Sequence, residues 1–189
     1  MTPPILGIFA SAVTGGVSTT SFESIATVSV GSGGSATITF SSIPGTYSHL
    51  QLRFIAQDNR GTFNNSELRL RFNSDTGSNY RAHYLVGDGS SASAADNGSI
   101  SYMPANVTAT AAGSIFSATI VDILDYANTN KYTTSRVLDS RELNGSGAIF
   151  LRSYLWLNTN AITSITIESN LGSSLNQYSH FALYGIKGA

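Results

Sequence analysis

The residues best suited to chemistry in this chain are its three histidines, His49, His83 and His180, because imidazole ligates metals and transfers protons near neutral pH. They are far apart in the sequence, and none stands at the spacing of a metal-ligand motif. The chain also has no Gly-x-Ser-x-Gly nucleophile elbow, no P-loop and no cysteine. It therefore lacks the usual patterns of hydrolases, nucleotide-binding enzymes and thiol enzymes. The sequence predicts no enzyme activity, no metal site and no cofactor, and the histidines are expected to cap strands or lie at subunit contacts.

The acidic residues offer two weaker candidates for chemistry. The segment 75–79 (DTGSN) resembles a calcium loop only faintly, because carboxylates are sparse there, and an Asx turn is the expected structure. Asp122 and Asp125 stand inside an apolar run, where a buried carboxylate must be paired or hydrogen-bonded. Arg136 or Arg141 on a neighbouring strand is the expected partner. We expect a structural polar network there rather than a general base.

The segment 147–157 carries the most conspicuous group of aromatic residues. Phe150, Arg152, Tyr154 and Trp156 alternate with aliphatic residues and therefore share one face of a strand. Tyrosine, tryptophan and arginine dominate the binding energy of many protein interfaces, so these four residues form a candidate interface. The alternative is that this face is the second half of a sandwich core. A further alternative is that the aromatic rings stack on a sugar.

The N-terminal residues are apolar and uncharged, with Ile5, Leu6, Ile8 and Phe9 preceding a pair of glycines. An extended segment of about 16 residues reaches up to roughly 50 Å. Apolar side chains on such a segment favour docking onto a neighbouring protein. The alternative is that the segment folds back over its own domain. We therefore interpret these four residues as the docking residues of an assembly arm.

Composition limits the classes to which the chain can belong. Only 11% of the 189 residues are charged, against about 25% in an average soluble domain. Serine, threonine, asparagine and glycine replace the missing charge, and these residues suit turns and polar strand faces. The net charge of −1 gives no electrostatic footprint for nucleic acid. No apolar run approaches the roughly 18 residues of a membrane helix, so membrane insertion is not expected.

The elements that must position all these residues are β-strands. Apolar and polar residues alternate along most of the chain, and helical periodicity is absent. About eight to ten strands separated by short turns predict an all-β fold, an antiparallel β-sandwich with a jelly-roll-like arrangement. The expected organisation is an arm and linker at residues 1–20 followed by a single sandwich domain at residues 21–189.

Four local patterns add detail to this fold. The segments 21–30 and 35–40 flank a glycine-rich turn and are expected to form a hairpin. Asn144-Gly145 is a second hairpin signal. The segment 87–98, rich in glycine, serine and alanine, is expected to be a surface loop. In the apolar run 115–126 most apolar residues up to Ile120 occupy even-numbered positions, whereas Val121 and Ile123 occupy odd-numbered positions. This change predicts either a β-bulge or a strand buried on both faces.

Several segments resemble small structural proteins of tailed bacteriophages, a group frequent in phages of cyanobacteria and other aquatic bacteria. The matching segments are 5–11 (ILGIFAS), 22–28 (FESIATV), 41–44 (SSIP), 47–53 (YSHLQLR), 71–73 (RFN), 75–80 (DTGSNY), 122–128 (DILDYAN) and 181–186 (FALYGI). The resemblance covers nearly the whole chain. It implies a virion protein assembled in the bacterial host cytoplasm, and it implies no catalytic residues.

Together these observations predict a non-enzymatic structural protein of a tailed-phage virion. The preferred interpretation is a tail appendage, fibre or adaptor subunit anchored by its N-terminal arm. The expected partners are other virion proteins and copies of the chain itself, with a trimer as one form because fibres and decorations are often threefold. One alternative is a capsid decoration (cement) protein that stabilises the head. Another is a receptor-binding module whose loops at 58–66 and 87–98 bind a host-surface glycan.

Overall fold

The computed structural model describes residues 21–188, so the predicted arm and linker at residues 1–20 lie outside the described residues. The strands are β1 (Phe22–Ser29), β2 (Thr37–Phe40), β3 (His49–Asp58), β4 (Asn65–Phe72), β5 (Tyr80–Gly87), β6 (Ala92–Ile100), β7 (Met103–Ala109), β8 (Ser117–Leu124), β9 (Thr133–Glu142), β10 (Gly147–Trp156), β11 (Ile165–Ser169) and β12 (His180–Ile186). Two single turns of 3-10 helix span Thr110–Ala112 and Asn170–Gly172. The prediction of an all-β fold is confirmed.

The strands form two sheets that pack as a sandwich. The large sheet is antiparallel and has the order β1-β12-β3-β8-β9-β10-β5-β6. The small sheet has the order β2-β11-β4-β7. The end of β3 joins them, because Gln57 and Asp58 pair in parallel with Thr108 and Ala109 of β7. The large sheet is wider than the small one, so its far edge at β5 and β6 extends beyond the shared core.

The core lies between the inner faces of the two sheets and follows from the alternation of the sequence. Every second residue of β4 is buried, including Leu68, Leu70 and Phe72, and the same period governs β3 and β11. An aromatic cluster fills one end of this core. There the Trp156 ring lies 5.5 Å from Phe72 in an edge-on contact and 6.4 Å from Tyr80 in a stacked one.

Strand β7 is buried along its whole length because it lies at the junction of the two sheets. Most of its outer edge has no strand partner, and side chains from three successive strands of the large sheet bond that edge instead. The bonds run from the Thr108 amide to Ser117 Oγ at 2.9 Å, from the Asn106 amide to Asp139 Oδ2 at 2.8 Å, and from the Tyr154 hydroxyl to the Pro104 carbonyl at 2.6 Å. Buried backbone groups must be paired. The need to bond the outer edge of β7 therefore explains why Ser117, Asp139 and Tyr154 lie on the otherwise apolar inner face of the large sheet.

Two local predictions about strand pairing are wrong. The segments 21–30 and 35–40 do not form a hairpin, since β1 pairs with β12 of the large sheet and β2 pairs with β11 of the small sheet. The glycine-rich turn between them carries the chain from one sheet to the other. The segment 87–98 is not a loop, because β6 pairs with β5 from Ala92 onwards after a short turn.

The Asn144-Gly145 hairpin is confirmed, whereas both alternatives for the run 115–126, a β-bulge and a strand buried on both faces, are wrong. Asn144 and Gly145 have φ angles of 54° and 109°, and the Leu143 amide donates to the Ser146 carbonyl at 2.8 Å. Two positive φ angles in succession are typical of the type I′ turn that joins β-strands tightly. Strand β8 keeps a regular register with both neighbours, and Ile120 is 37% exposed on its outer face. The change of parity therefore marks an outward apolar side chain.

Candidate assembly surface

The predicted interface residues Phe150, Arg152, Tyr154 and Trp156 lie on the inner face of β10. Arg152, Tyr154 and Trp156 are 5%, 1% and 1% exposed, and Phe150 is half-buried. A partner cannot reach side chains that the sandwich itself encloses. The interface prediction is therefore wrong for Arg152, Tyr154 and Trp156, and the alternative of a core face describes them. The same burial prevents Tyr154 and Trp156 from stacking on a sugar.

Arg152 is tolerated in the core because it forms an ion pair with a buried carboxylate. Its Nε donates to Asp139 Oδ1 at 2.7 Å, and Asp139 is 0% exposed. Asn106 Nδ2 donates to the other carboxylate oxygen at 2.9 Å, and the guanidinium lies 4.4 Å from the Phe150 ring centre. Burial acts to lower the pKa of Arg152, but its interactions with Asp139 and Tyr154 together outweigh burial and the pKa is raised. This pair is a structural element of the interior.

The outer face of the same sheet carries a continuous line of exposed aliphatic side chains. Direct cross-strand pairing joins Ile120 to Leu138, Leu138 to Leu151, Leu151 to Leu85, and Leu85 to Ala94. We call these five residues the apolar row. Its four large members are between 37% and 57% exposed. Residues directly opposite in a sheet have adjacent side chains, so the row is one connected surface across β8, β9, β10, β5 and β6.

Two further aliphatic residues widen the apolar row. Ile149 of β10 is 54% exposed and lies opposite Gly87, and Ile55 of β3 is 48% exposed and lies opposite Ala118. A shallow depression beside Leu151 and Ile149 is lined mainly by aliphatic side chains of β5, β6, β9 and β10. We call the apolar row together with Ile55 and Ile149 the apolar face. Monomeric soluble proteins rarely leave a contiguous apolar surface of this kind exposed to water. Such a surface therefore indicates a place where a partner binds.

A polar row lies beside the apolar row, and its residue types invite a catalytic interpretation. Asp122, Arg136, Ser153, His83 and Asp96 follow one another across β8, β9, β10, β5 and β6. Serine, histidine and aspartate thus stand side by side, yet no hydrogen bond joins these three side chains in the part of the chain that the structure describes. The backbone around Ser153 pairs with strands on both sides. No amide is left there to stabilise an oxyanion, so the arrangement does not form a catalytic triad.

The remaining predicted chemical residues occupy structural positions. His49 Nδ1 accepts the Asp125 amide at 3.0 Å, and Lys131 bonds the Asp125 carboxylate. The Lys131 ammonium holds the pKa of Asp125 below its usual range. Asp122 accepts Gln51 Nε2 at 2.6 Å and stands opposite Arg136. Within residues 21–188, no three histidine or acidic side chains come together as a metal site.

The expected Asx turn at 75–79 is confirmed, and it also supports the aromatic cluster. Asp75 Oδ1 accepts the Gly77 amide at 2.8 Å, and Asp75 Oδ2 accepts Trp156 Nε1 at 2.7 Å. Partial burial acts to raise the pKa of Asp75, but hydrogen bonds from Asn79, Trp156 and Gly77 outweigh it and the pKa is lowered. The carboxylate is therefore occupied by the fold.

The apolar face is the feature that sequence reasoning missed. Both faces of β10 are apolar, so the alternation alone does not say which face is buried. The available signal was Ile120, whose parity differs from that of its buried neighbours Val121 and Ile123. The predicted docking residues Ile5, Leu6, Ile8 and Phe9 lie outside the described residues.

Comparisons with protein-family models, with curated protein sequences and with solved structures find no match to this chain. In the described residues, no helix is long and apolar enough to cross a membrane. The apolar face is thus the principal candidate site that the geometry offers.

Proposed function

We propose that this chain is a non-enzymatic structural subunit of a tailed-phage virion, and specifically of a tail appendage, fibre or adaptor. The observation that carries the proposal is the apolar face on the outside of the large sheet. Leu85, Leu151 and Ile149 are each more than half exposed, and they lie together on a regular sheet. Covering the exposed half of such a side chain contributes about 0.8–1.5 kcal/mol before ordering costs. A subunit in an assembly obtains that contribution, whereas an isolated domain does not.

The N-terminal residues supply a second means of attachment in this proposal. Ile5, Leu6, Ile8 and Phe9 would bury their side chains against another virion protein. Each would contribute about 1.5–3 kcal/mol when fully buried. Repetition around a symmetry axis multiplies weak contacts into strong attachment, since later contacts form within the same complex. The resemblance of the segment 5–11 and of the C-terminal strand to phage structural proteins supports the same assignment.

A capsid decoration protein is the nearest alternative, because it would use the same surfaces against the head. A receptor or glycan-binding module is favoured by a separate observation. Tyr178 is 75% exposed at the rim of a polar cleft lined by Asn59, Asn176 and Gln177, among others. Exposed tyrosine beside amide side chains suits a sugar ring. A glycan array with the isolated domain separates this alternative, since a purely structural subunit gives no binding.

Deletion of residues 1–16 tests the proposed attachment directly. We expect the melting temperature to stay nearly unchanged and incorporation of the chain into particles to be lost, because the arm contributes to docking and not to the core. A chain with Ile5, Leu6, Ile8 and Phe9 all replaced by serine keeps the length of the arm and is expected to behave like the deletion. A fall of about 10 °C or more in the melting temperature would instead make the arm part of the core. Normal incorporation of both variants would refute arm-mediated docking.

A further inference from the structure

Strand β6 is an edge strand whose first five residues, 92–96, pair regularly with β5, and its one register irregularity lies beyond them, between Asn97 and Ile100. It pairs only with β5 in the described part of the chain, and residues 92–96 are exposed on both faces. The strand contains no lysine and no proline, and Asp96 is its one charged residue. Natural proteins blunt such edges with charges, prolines, bulges or a covering segment. An unblunted edge of this length is a template for a further strand.

The turn before β6 determines which of its backbone groups are free. The Asp88 amide donates to the Ser91 carbonyl, which closes the hairpin between β5 and β6. Hydrogen-bonded and non-hydrogen-bonded pairs then alternate, so Ser93 and Ala95 bond to β5. The amides and carbonyls of Ala92, Ala94 and Asp96 consequently point away from β5. They are spaced as the hydrogen-bonding positions of an antiparallel partner.

We propose that β6 pairs antiparallel with β6 of a second copy of this chain, around a twofold axis at Ala94. This register brings the free groups of Ala94 together with their symmetry mates and those of Ala92 together with Asp96 of the partner. It makes three hydrogen-bonded residue pairs and keeps the two Asp96 carboxylates from facing each other. It also places the apolar row of one copy in line with that of the other. The result is one continuous sheet with an apolar face about twice as wide.

The opposite edge of the large sheet is less suited to this pairing. Strand β1 contains a register shift between Ser24 and Ala26, and a bulge of this kind twists an edge away from partners. Its Glu23 forms an ion pair with Lys187 at 2.6 Å, which adds charge to that edge. Strand β6 also has a register shift, opposite Tyr80–Ala82, but this shift lies at its end, whereas Ala92–Asp96 pair regularly with β5 from His83 to Gly87. The inference needs only a second copy, so it stands independently of the virion assignment.

The absence of cysteine from the chain allows a direct test of the register. Opposed residues of a hydrogen-bonded antiparallel pair have Cα atoms about 5.5 Å apart, which is within the range of a disulfide. The Ala94→Cys variant is therefore expected to form a disulfide-linked dimer under mild oxidation. Ala92→Cys is the matched control, because its symmetry mate would lie roughly 13 Å away along the strand. Equal crosslinking of both variants, or none at Ala94→Cys, would overturn the proposal.

The oligomeric mass in solution provides a second test of the proposal. The full chain is expected to be a dimer by light scattering, and Ala94→Pro is expected to be a monomer that keeps the circular dichroism spectrum of the folded β domain. Proline removes an amide that points outward, so it breaks no bond to β5. Ala94→Val keeps that amide and should remain a dimer. A monomeric full chain that dimerises only after removal of residues 1–20 would show that the arm covers β6, and a trimer insensitive to Ala94→Pro would show another interface. Either result contradicts the proposal, without deciding whether the chain belongs to a virion.

Discussion

Replacing Asp139 with asparagine is expected to lower the free energy of unfolding by about 3–5 kcal/mol. The carboxylate is 0% exposed and accepts hydrogen bonds from the Asn106 amide, the Asn106 side chain and Arg152. The substitution leaves the guanidinium of Arg152, itself 5% exposed, without its counter-charge inside the sandwich. It also weakens the bond that substitutes for a missing strand at the edge of β7. Chemical denaturation of the purified chain measures the loss.

Two further variants separate the buried pair from a general effect of removing a charge. Glu142→Gln alters an exposed carboxylate at the end of β9, and we expect the free energy of unfolding to change by less than about 0.5 kcal/mol. Asp139→Asn combined with Arg152→Met should recover part of the loss, because an apolar replacement of a whole buried pair is often neutral. A loss below about 1 kcal/mol for Asp139→Asn alone would mean that the pair is not a structural element of the core.

Replacing Trp156 with alanine is expected to cost about 3–5 kcal/mol of unfolding free energy. The side chain is 1% exposed, it packs on Phe72 and Tyr80, and its Nε1 donates to Asp75. The substitution therefore removes a large packed ring and leaves a cavity between the sheets. Denaturation monitored by far-ultraviolet circular dichroism measures the change without relying on tryptophan fluorescence, which this variant lacks.

Leu151→Ala is the matched control for Trp156→Ala, because it truncates a large apolar side chain on the other face of the same strand. Leu151 is 53% exposed, so little buried surface is lost and the stability of the isolated domain should change by under about 1 kcal/mol. The two variants also separate the core and interface interpretations of β10. If Trp156→Ala left the domain stable and Leu151→Ala unfolded it, the assignment of inner and outer faces would be reversed.

The alternation of apolar and polar residues was sufficient to predict the fold class and most of the strands. Local chemistry was equally reliable where a few adjacent residues decide the outcome, as in the Asn144-Gly145 turn and the Asx turn at Asp75. Which strands pair with each other could not be predicted from local residues. The partner of β1 is β12, at the other end of the chain, and no local signal in the glycine-rich turn after β1 specifies that choice.

Strand β6 and the faces of β10 show two further limits. The residues of β6 have low strand propensity, and they become a strand because the Asp88 turn brings them alongside β5. On β10 both faces are apolar, and only the position of the small sheet decides that Trp156 is buried while Leu151 is exposed. The polar residues inside the sandwich were unpredictable for a related reason. Asp139 is needed there by the backbone of β7, which sequence patterns did not identify as a strand.

The proposal that this chain is a virion subunit is tested most directly by immunogold labelling of purified phage particles with an antibody to the chain. We expect gold label on the particles, concentrated at the tail or its tip. Label spread over the head would transfer the assignment to capsid decoration, and the stability of the capsid would become the property to measure. Particles that carry no label, from a phage that produces the protein during infection, would contradict the virion assignment altogether.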